Sequence, residues 1–440
     1  MLAIAGLLGA VAVTAMLPAG AGAAVTFAPQ GTVATGTHPH TVAVADLNGD
    51  AALDLVAANE TANTVTVALG TGTGSFSAPT TYPVGGTPIA VVVSDFDADG
   101  KPDLATTNFS SNNVTVLRGA GDGTFSPHTS FLVGGNPNAA AVGDFDGDGS
   151  TDLAIANGSP DTVTVALNSG GGTFTPGAPF AAGDFPNSIA SADLDLDGDL
   201  DLAIAARFAS QVSVVLGDGT GLFSALAAYP VGTWPTSIAV GDVNRDGLRD
   251  LVSANSQGSS VSVLLGAGAG LFSPSTASVV GPSPASVALA DFDRSGTPDL
   301  VTANFDAGNA SVMLGSDTDA FAAPSAFFAL GSRSFSAAVG DFNGDNAPDL
   351  AAAKYDTGGI AVLLNAPTAS LSPTTLTYGS GGSPVAQGTL SPPQATTVTN
   401  NGAASLVISG FLFGGANPDD FTTGADTCRA PLAPGASCTV

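Results

Sequence analysis

Short apolar segments alternate with turns rich in glycine and aspartate along most of the chain, and no segment sustains a helical spacing of apolar residues. Between residues 88 and 135, the apolar run PIAVVVSD is followed by DLATTN, NVTVLRG and TFSPHTSFLVGG. Val114 and Val116 alternate with polar residues, which is the period of two expected of a half-buried strand. These four segments predict four short β-strands joined by turns.

The four-strand pattern repeats with a nearly constant period. An acidic nine-residue motif starts at positions that are 49 residues apart five times and then 50 apart, namely Asp46, Asp95, Asp144, Asp193, Asp242, Asp291 and Asp341. A phenylalanine recurs every 49 residues, at Phe27, Phe76, Phe125, Phe174, Phe223, Phe272 and Phe321. Repeats of about 40 to 50 residues are typical of propeller blades. We therefore predict an all-β chain with a seven-bladed β-propeller of four-stranded blades at residues 24–365.

The two ends of the repeat array predict how the ring closes. The first phenylalanine lies in VTFAPQGTV, residues 25–33, which no complete unit precedes. At the other end, Leu371 stands where the next phenylalanine is due. We therefore predict that residues 25–33 supply the missing strand of the seventh blade. The alternative is an open solenoid, which would need polar capping units that the sequence does not show.

The charge of the chain excludes one class of partner. The chain carries 9 basic and 37 acidic residues, a formal net charge of −28. Binding to nucleic acid depends on Lys and Arg that neutralise phosphates, so we expect no nucleic-acid partner. Hydrophobic residues make up 44% of the chain, enough for a large core.

The acidic motif has the pattern D-x-[DN]-x-[DS]-[GAN]-x-x-D. Oxygen ligands at alternating positions suit Ca²⁺, which takes about six to eight of them, and the carbonyl of position seven can add another. An EF-hand would need Glu at position twelve and flanking helices, whereas these loops have neither. The alternative is that Asp and Asn only form turns here. Ala51, Asn346 and Ser295 depart from the commonest residue at their positions.

The candidate ligands at positions one, three, five and nine form seven sets, for up to seven calcium ions. They are Asp46, Asn48, Asp50 and Asp54; Asp95, Asp97, Asp99 and Asp103; Asp144, Asp146, Asp148 and Asp152; Asp193, Asp195, Asp197 and Asp201; Asp242, Asn244, Asp246 and Asp250; Asp291, Asp293, Ser295 and Asp299; and Asp341, Asn343, Asp345 and Asp349. Seven divalent ions would add 14 positive charges and reduce the net charge from −28 to −14.

These loops, with LGTGTGSF, LRGAGDGTF and LGAGAGLF, resemble the FG-GAP/VCBS repeats of integrin α-subunit N-terminal propellers and of many exported bacterial proteins. The resemblance covers about residues 25–365. It implies a seven-bladed propeller with calcium in the loop between the first two strands of each blade. The departures at Ala51 and Ser295 weaken that implication for the first and sixth sites.

The N-terminal segment predicts export. Residues 2–17 are uncharged and mostly apolar, and AGA at 21–23 fits a cleavage site, so we predict a signal peptide at 1–23 cleaved after Ala23. No Lys or Arg precedes the apolar run, which leaves open an upstream start or an uncleaved anchor. No later stretch reads as transmembrane. The expected location is secreted or at the cell surface.

The tail, residues 366–440, predicts a second β-domain. ATTVTN and LVISGF alternate as strands do, and TNNGAASLVISG, NPDDF and LAPGASCTV resemble Ig-like choice-of-anchor D and Hydin-type modules. That family would continue past Val440, so we expect an incomplete Ig-like β-sandwich. Export favours a disulfide between Cys428 and Cys438 over two free thiols.

Two faces of the propeller differ in their sequence variability. The acidic loops share one face, while the variable connections on the other would present Phe109, Arg207, Phe208, Trp234, Phe305, Lys354 and Tyr355. Irregular loops on a rigid scaffold commonly bind partners, although these aromatics could instead pack between blades. His38, His40 and His128 are not spaced as a zinc site, and no catalytic motif appears.

We therefore expect a calcium-binding, non-catalytic propeller for adhesion or protein binding. The alternatives are a lectin-like propeller, which one Trp and four Tyr would supply with few stacking platforms, or an accessory domain of a polysaccharide-active enzyme.

Overall fold

The computed structural model describes residues 10–16, 25–316, 321 and 323–365, and in the tail residues 370–372, 375–377, 395, 397–399, 410–414, 427, 432 and 436–439. Every regular element in these ranges is a β-strand. The chain divides into two compact units, one of Phe27–Asn365 and one of Met1–Thr26 with Ala366–Val440. Within the described ranges no helix is long and apolar enough to cross a bilayer.

The larger unit contains seven antiparallel sheets, each built around four strands. β1 (Ala10–Met16) belongs to the smaller unit, and the larger unit begins with β2 (Phe27–Val33). Blade one comprises β3 (Pro39–Ala45), β4 (Asp54–Asn59), β5 (Thr64–Ala68) and β6 (Thr80–Pro83). Blade two comprises β7 (Pro88–Ser94), β8 (Asp103–Asn108), β9 (Asn113–Gly119) and β10 (Phe125–Leu132).

Blades three to five follow the same order with local additions. Blade three comprises β11 (Pro137–Gly143), β12 (Asp152–Asn157), β13 (Thr162–Asn168) and a fourth strand split into β14 (Phe174–Pro176) and β15 (Phe180–Ala181). Blade four comprises β16 (Pro186–Ala192), β17 (Asp201–Ala206), β18 (Gln211–Val215) and β19 (Ala227–Pro230). Blade five comprises β20 (Pro235–Gly241), β21 (Asp250–Asn255), β22 (Ser260–Leu264) and β25 (Thr276–Val279), with a small separate hairpin of β23 (Gly266–Gly268) and β24 (Leu271–Phe272).

The last two blades complete the ring. Blade six comprises β26 (Pro284–Ala290), β27 (Asp299–Asn304), β28 (Asn309–Met313) and β29 (Ala326–Ala329). Blade seven comprises β30 (Ala337–Gly340), β31 (Asp349–Ala353), β32 (Ile360–Asn365) and, from the opposite end of the chain, β2. The register of this last pair runs from Phe27 opposite Asn365 to Val33 opposite Ile360. The predicted seven-bladed propeller and its closure by residues 25–33 are confirmed.

Serine side chains join the first strands of neighbouring blades. The first strands contact one another all the way round, including β3 with β30, so they are the innermost strands. Each innermost strand has one edge with no strand beside it in its own sheet. At the closing junction, Ser336 Oγ accepts the N–H of Val42 at 3.3 Å. The same bond joins blades six and seven, where Ser286 Oγ accepts the N–H of Ala337 at 3.0 Å. The closing junction therefore carries the same serine bond as the junction of blades six and seven.

The second strand of each blade is buried along its whole length. Because blades cover both of its faces, it carries a continuous run of small apolar residues rather than an alternating pattern. In blade one this run is DLVAAN, and its terminal Asn59 donates from Nδ2 to Thr66 Oγ1 at 2.9 Å. The buried amide nitrogen thus bonds to the neighbouring strand, while Asn59 Oδ1 lies buried without a hydrogen-bond partner.

The repeating phenylalanines pack between blades. Phe174 of blade three lies edge-on to Phe96, the second residue of the acidic motif in blade two, with ring centroids 5.5 Å apart. The pair Phe27 and Phe292 repeats this contact at 5.8 Å between blades seven and six. Edge-to-face aromatic pairs add about 0.5–1.5 kcal/mol beyond their buried area. The acidic motif and the repeating phenylalanine therefore share one period because they contact each other across the junction of adjacent blades.

The smaller unit contains two three-stranded sheets among its described residues. One sheet has the order β34–β1–β36, with β34 (Thr375–Thr377) and β36 (Gly410–Gly414); the other has the order β33–β35–β37, with β33 (Ser370–Ser372), β35 (Thr397–Thr399) and β37 (Ser437–Thr439). The predicted signal peptide thus contributes a strand, β1, while residues 1–9 and 17–24 lie outside the described residues. The signal peptide and the Ig-like identity of the tail stay predictions.

The predicted disulfide involves one residue that the structure describes. Cys438 lies buried in β37 and is disulfide-bonded. Cys428 lies outside the described residues, so the pairing stays a prediction.

Deleting residues 24–34 should destabilise blade seven, because β32 would lose its outer partner and Phe292 would lose its contact with Phe27. We expect the unfolding transition, followed by the fluorescence of the single tryptophan, Trp234, to move to lower temperature. Deleting residues 1–23 is the control, since it retains β2. Equal transitions for the two deletion variants would show that the closing strand contributes nothing.

Candidate metal centres

Each acidic motif forms the loop between the first and second strands of its blade, and the loop wraps around the carboxylate at position one. In blade three, Asp144 Oδ1 accepts the N–H of Gly147 at 2.8 Å and that of Asp148 at 3.2 Å. Its Oδ2 accepts the N–H of Gly149 at 2.8 Å. The carboxylate thus organises the backbone so that the following side chains turn toward a common centre.

Position six requires a left-handed backbone, as its glycines predict. Gly149 has φ 88° there. Ala51 and Asn346 adopt the same conformation, with φ 68° and 61°, so the first and seventh loops keep the turn despite their substitutions. Position four is also left-handed, including at Leu196, where φ is 66°. This second left-handed position is not apparent from the sequence, because its residue type varies.

The aspartate at position nine is the buried anchor of the loop. Asp201 is fully buried, its Oδ2 accepts the N–H of Leu194 at 2.7 Å, and its Oδ1 accepts the N–H of Gly217 at 2.8 Å. The same pair of bonds occurs in all seven blades. This side chain therefore ties the acidic loop to the connection that follows the third strand.

Burial raises the pKa of the position-nine carboxyls. Desolvation is the largest cause, the two backbone N–H bonds oppose it, and neighbouring aspartates raise it further. The pKa rises to about 6 for Asp152, Asp201, Asp299 and Asp349. It is raised for Asp54, Asp103 and Asp250 as well. A cation in the loop would reverse this effect, because it would favour the charged form.

The carboxylates converge most closely in four loops. In each, three carboxylate oxygens lie within 4.8 Å of one another; the groups are Asp95, Asp97 and Asp99; Asp144, Asp146 and Asp152; Asp193, Asp195 and Asp197; and Asp291, Asp293 and Asp299. Three hard oxygens at this separation can surround one divalent cation, and the donor set fits Ca²⁺. The sixth loop belongs to this group although Ser295 replaces its third aspartate.

Asparagine replaces aspartate at position three in the other three loops. Asn48 donates from Nδ2 to Asp50 Oδ2 at 3.0 Å, and Asn244 and Asn343 bond to Asp246 and Asp345 in the same way. In these loops the amide therefore neutralises part of the repulsion that the carboxylates would otherwise exert. Its Oδ1 still accepts the N–H of position five, at 3.0 Å in the first loop.

Basic side chains contact the candidate ligands of at least two loops. In the second loop, Lys101 Nζ lies 3.0 Å from Asp99 Oδ2, and Arg118 pairs with Asp97. In the seventh, the Arg294 guanidinium lies 3.3 Å from Asp345 Oδ1 and also donates to the Asp345 carbonyl at 2.7 Å. These cations compete with a metal ion for the same oxygens.

A residue that sequence analysis missed completes the site. It lies sixteen positions after the position-nine aspartate, and it pairs with the repeating phenylalanine as well as with the aspartate. Gly119 is one example, where a Cβ would lie 2.0 Å from the Pro102 carbonyl oxygen. In blade three the residue is Asn168, whose Nδ2 donates to the Phe96 carbonyl of blade two at 2.7 Å. The sequence signal for this residue was Gly119, the first glycine of the LRGAGDG turn, because a glycine recurs at this position in most blades.

Four of the five aromatic residues predicted on the opposite face fall into two groups. Phe305 and Tyr355 both pack against Phe335 at the junction of blades six and seven. Their ring centroids lie 4.2 Å and 5.0 Å, respectively, from that of Phe335. Phe208 lies 5.9 Å from Trp234 at the junction of blades four and five. Lys354 bonds to Thr32 at 3.2 Å, and Phe109 is half-buried. The three histidines lie in different settings: His38 bonds to Thr61, His40 stacks on Phe335 and His128 bonds to the Gly171 carbonyl.

The chain belongs to the FG-GAP-like repeat family. Six overlapping segments match that family, namely residues 46–106, 95–155, 144–204, 193–253, 242–302 and 291–352. Each begins at an acidic loop and ends in the second strand of the next blade. No curated protein matches the chain.

The fold is similar to those of several solved structures. BBS1N, in its complex with ARL6DN soaked with lead, superposes with a TM-score of 0.55 at 15% identity, over 79% of this chain and 97% of that one. Streptogramin B lyase gives 0.54 at 13% identity over 77% and 97%. U3-55K gives 0.52 at 13% identity over 76% and 97%. At these identities the similarity shows the fold alone.

Replacing Asp201 by Ala should lower the free energy of unfolding by about 1–3 kcal/mol, because the N–H groups of Leu194 and Gly217 would lose a buried acceptor. The control is Asp199→Ala, a neighbouring carboxylate that is only half-buried. Urea denaturation followed by Trp234 fluorescence measures both. Equal effects would mean that the buried anchor contributes no more than any other loop charge.

Proposed function

We propose that this protein is an exported, calcium-stabilised and non-catalytic binding propeller. One observation carries the proposal: in four loops three carboxylate oxygens lie within 4.8 Å of one another. Close carboxylates repel, and burial of the position-nine side chain adds a desolvation cost. A divalent cation offsets both effects at once.

Calcium fits better than other common ions. The candidate ligands are carboxylate, amide and carbonyl oxygens and, in the sixth loop, the hydroxyl of Ser295. None is a cysteine or histidine, which disfavours zinc. Magnesium requires a nearly ideal octahedron and keeps several waters, whereas calcium accepts the irregular set that a nine-residue loop offers. We expect the third and fourth loops, with four carboxylates each, to bind most tightly. The second and seventh should bind less tightly, because Lys101, Arg118 and Arg294 already contact their acids.

The face opposite the calcium loops is the proposed binding face. The acidic loops keep one backbone design, which suits a stabilising role, while the connections on the opposite face vary in sequence from blade to blade. Phe208 is 50% exposed there. A propeller of similar fold, BBS1N, was solved bound to a protein, ARL6DN. We therefore favour a protein partner over a glycan.

Export is proposed from the sequence of residues 1–23. An extracellular location would also supply the millimolar calcium that weak extracellular sites need.

Removing calcium should lower the melting temperature by several degrees. A single site at a hundred times its Kd contributes about 2.7 kcal/mol, and about 1 kcal/mol moves the melting temperature of a large domain by roughly 2–4 °C. The measurement is calorimetry before and after chelation, with a calcium count on the purified protein. Restoring calcium, but not magnesium, should restore the transition. An unchanged transition together with no bound calcium would overturn the calcium proposal.

Acidification should have opposite effects on the metal-free and calcium-loaded proteins. Without metal, the four carboxyls with a pKa of about 6, against an ordinary 3.8, bind protons more tightly in the folded state. The free energy of unfolding should therefore rise as the pH falls from 7 through 6 toward 4. With calcium bound, protons must displace the ion, so stability should fall over the same range. Urea titrations at pH 7, 6 and 5 measure the free energy of unfolding of both forms. The prediction would be contradicted if this free energy changed with pH in the same way for the metal-free and calcium-loaded proteins.

A further inference from the structure

A ring of variable side chains surrounds the end of the innermost strands opposite the acidic loops. The residue just before the first strand has a left-handed backbone in six blades, with φ between 53° and 58° at His38, Thr87, Asn136, Phe185, Trp234 and Ser283. Its carbonyl accepts an N–H from the connection between strands two and three, as Phe185 does from Arg207 at 3.0 Å. The backbone is thus held constant while the side chain changes.

Four of the side chains at this end form a compact group, which we call the Arg207 cluster: Phe185, Arg207, Phe208 and Trp234. The Phe185 and Phe208 rings lie 4.9 Å apart, and Phe208 lies 5.9 Å from Trp234. The Arg207 guanidinium lies over the Trp234 ring at 4.9 Å and 5.7 Å from the Phe208 centroid. The cluster joins blades four and five.

The charge of Arg207 has no acidic counterpart. Its Nε is buried without a hydrogen-bond partner, and no ion pair among the described residues involves it. Burial lowers its pKa. A guanidinium removed from water normally pairs with a carboxylate. In a chain with 37 acidic and 9 basic residues, an arginine left unpaired is conspicuous.

Arg333 provides an internal comparison on the same face. Its guanidinium lies 4.8 Å from the Phe305 centroid and 5.9 Å from that of Tyr355, an aromatic setting much like that of Arg207. Unlike Arg207, it forms an ion pair with Asp356, to which its Nε also donates at 2.9 Å. One guanidinium is therefore paired within the chain, while the other has no ion pair among the residues that the structure describes.

We infer that the Arg207 cluster binds an acidic peptide segment of a partner protein, in which Asp or Glu adjoins a large apolar residue. The carboxylate would pair with Arg207, whose planar fork matches two carboxylate oxygens. The neighbouring apolar side chain would pack on the exposed ring of Phe208. This inference rests on the proposed role of this face in binding.

A peptide fits the cluster better than an acidic sugar does. Sugars usually stack on an open aromatic face, but Arg207 covers one face of Trp234. The exposed aromatic is Phe208, which stands edge-on to Trp234 at an interplanar angle of 68°. That arrangement offers an apolar edge and a charged group side by side, and not a flat platform.

The position of Trp234 makes the test direct, because it is the only tryptophan in the chain. We would screen the calcium-loaded protein against an array of twelve-residue peptides in which Asp or Glu adjoins Leu or Phe, beside the same peptides with Asn or Gln. The tightest peptide is then titrated while the Trp234 emission is recorded. Hyaluronan and polygalacturonate fragments form the second arm.

We expect carboxylate peptides to bind and to change the Trp234 emission, and amide peptides to bind at least tenfold more weakly. Arg207→Gln should weaken binding by on the order of 10- to 100-fold, from the loss of a charged hydrogen bond. Arg207→Lys should recover only part of this affinity, since it keeps the charge without the fork. Arg333→Gln, the same change at a paired arginine, should bind as the unsubstituted protein does.

Three results would overturn the inference: no dependence on the carboxylate, binding that survives Arg207→Gln, or binding of the acidic sugars alone. The calcium content and melting temperature of each variant are measured in parallel. Loss of peptide binding with normal calcium content would concern only the Arg207 cluster. Absence of calcium with intact peptide binding would instead contradict only the calcium proposal.

Discussion

The buried carboxylate at position nine of the acidic motif is the interaction on which each blade depends. It accepts one N–H from the loop between strands one and two and another from the connection after strand three. In blade four, Asp201 thus joins Leu194, seven residues before it, to Gly217, sixteen residues after it. Each of its two oxygens accepts one backbone N–H and keeps a further lone pair, and the charge lies beside other carboxylates. The loop is thus organised in advance for a cation and carries an electrostatic cost without one. Stability and metal affinity are therefore coupled in the same side chain.

The fold could be predicted from the sequence because its main contacts recur at one spacing. Phe174 and Phe96 repeat with the period of the blades because they touch each other across a blade junction. The closing strand could be predicted as well, since β2 and β32 each lack a partner within their own repeat. Residue type alone was enough to predict the aspartates at positions one and nine as parts of the site. It also predicted the left-handed turn at position six.

Other features of the site depend on contacts that a single sequence does not display. The left-handed residue at position four varies from Gly147 to Leu196, so its conformation comes from the bonds to the first aspartate and not from its own preference. The bond from Asn168 to the Phe96 carbonyl connects residues 72 positions apart. Likewise, the sequence placed Arg207 and Trp234 on one face. Only the structure shows that they stack and that no ion pair within the described ranges involves Arg207.

The pairing of Phe27 with Asn365 has a mechanical consequence. Phe27 and Asn365, the first and last residues of the propeller, lie opposite each other at one end of an antiparallel ladder. A force that pulls them apart therefore acts on that end of the ladder. Its hydrogen bonds would then break one after another, as in a zipper, and not all together in shear. Under tension along the chain, the propeller would therefore open first at blade seven. The other six blades would carry no load until the pairing of β2 with β32 had broken.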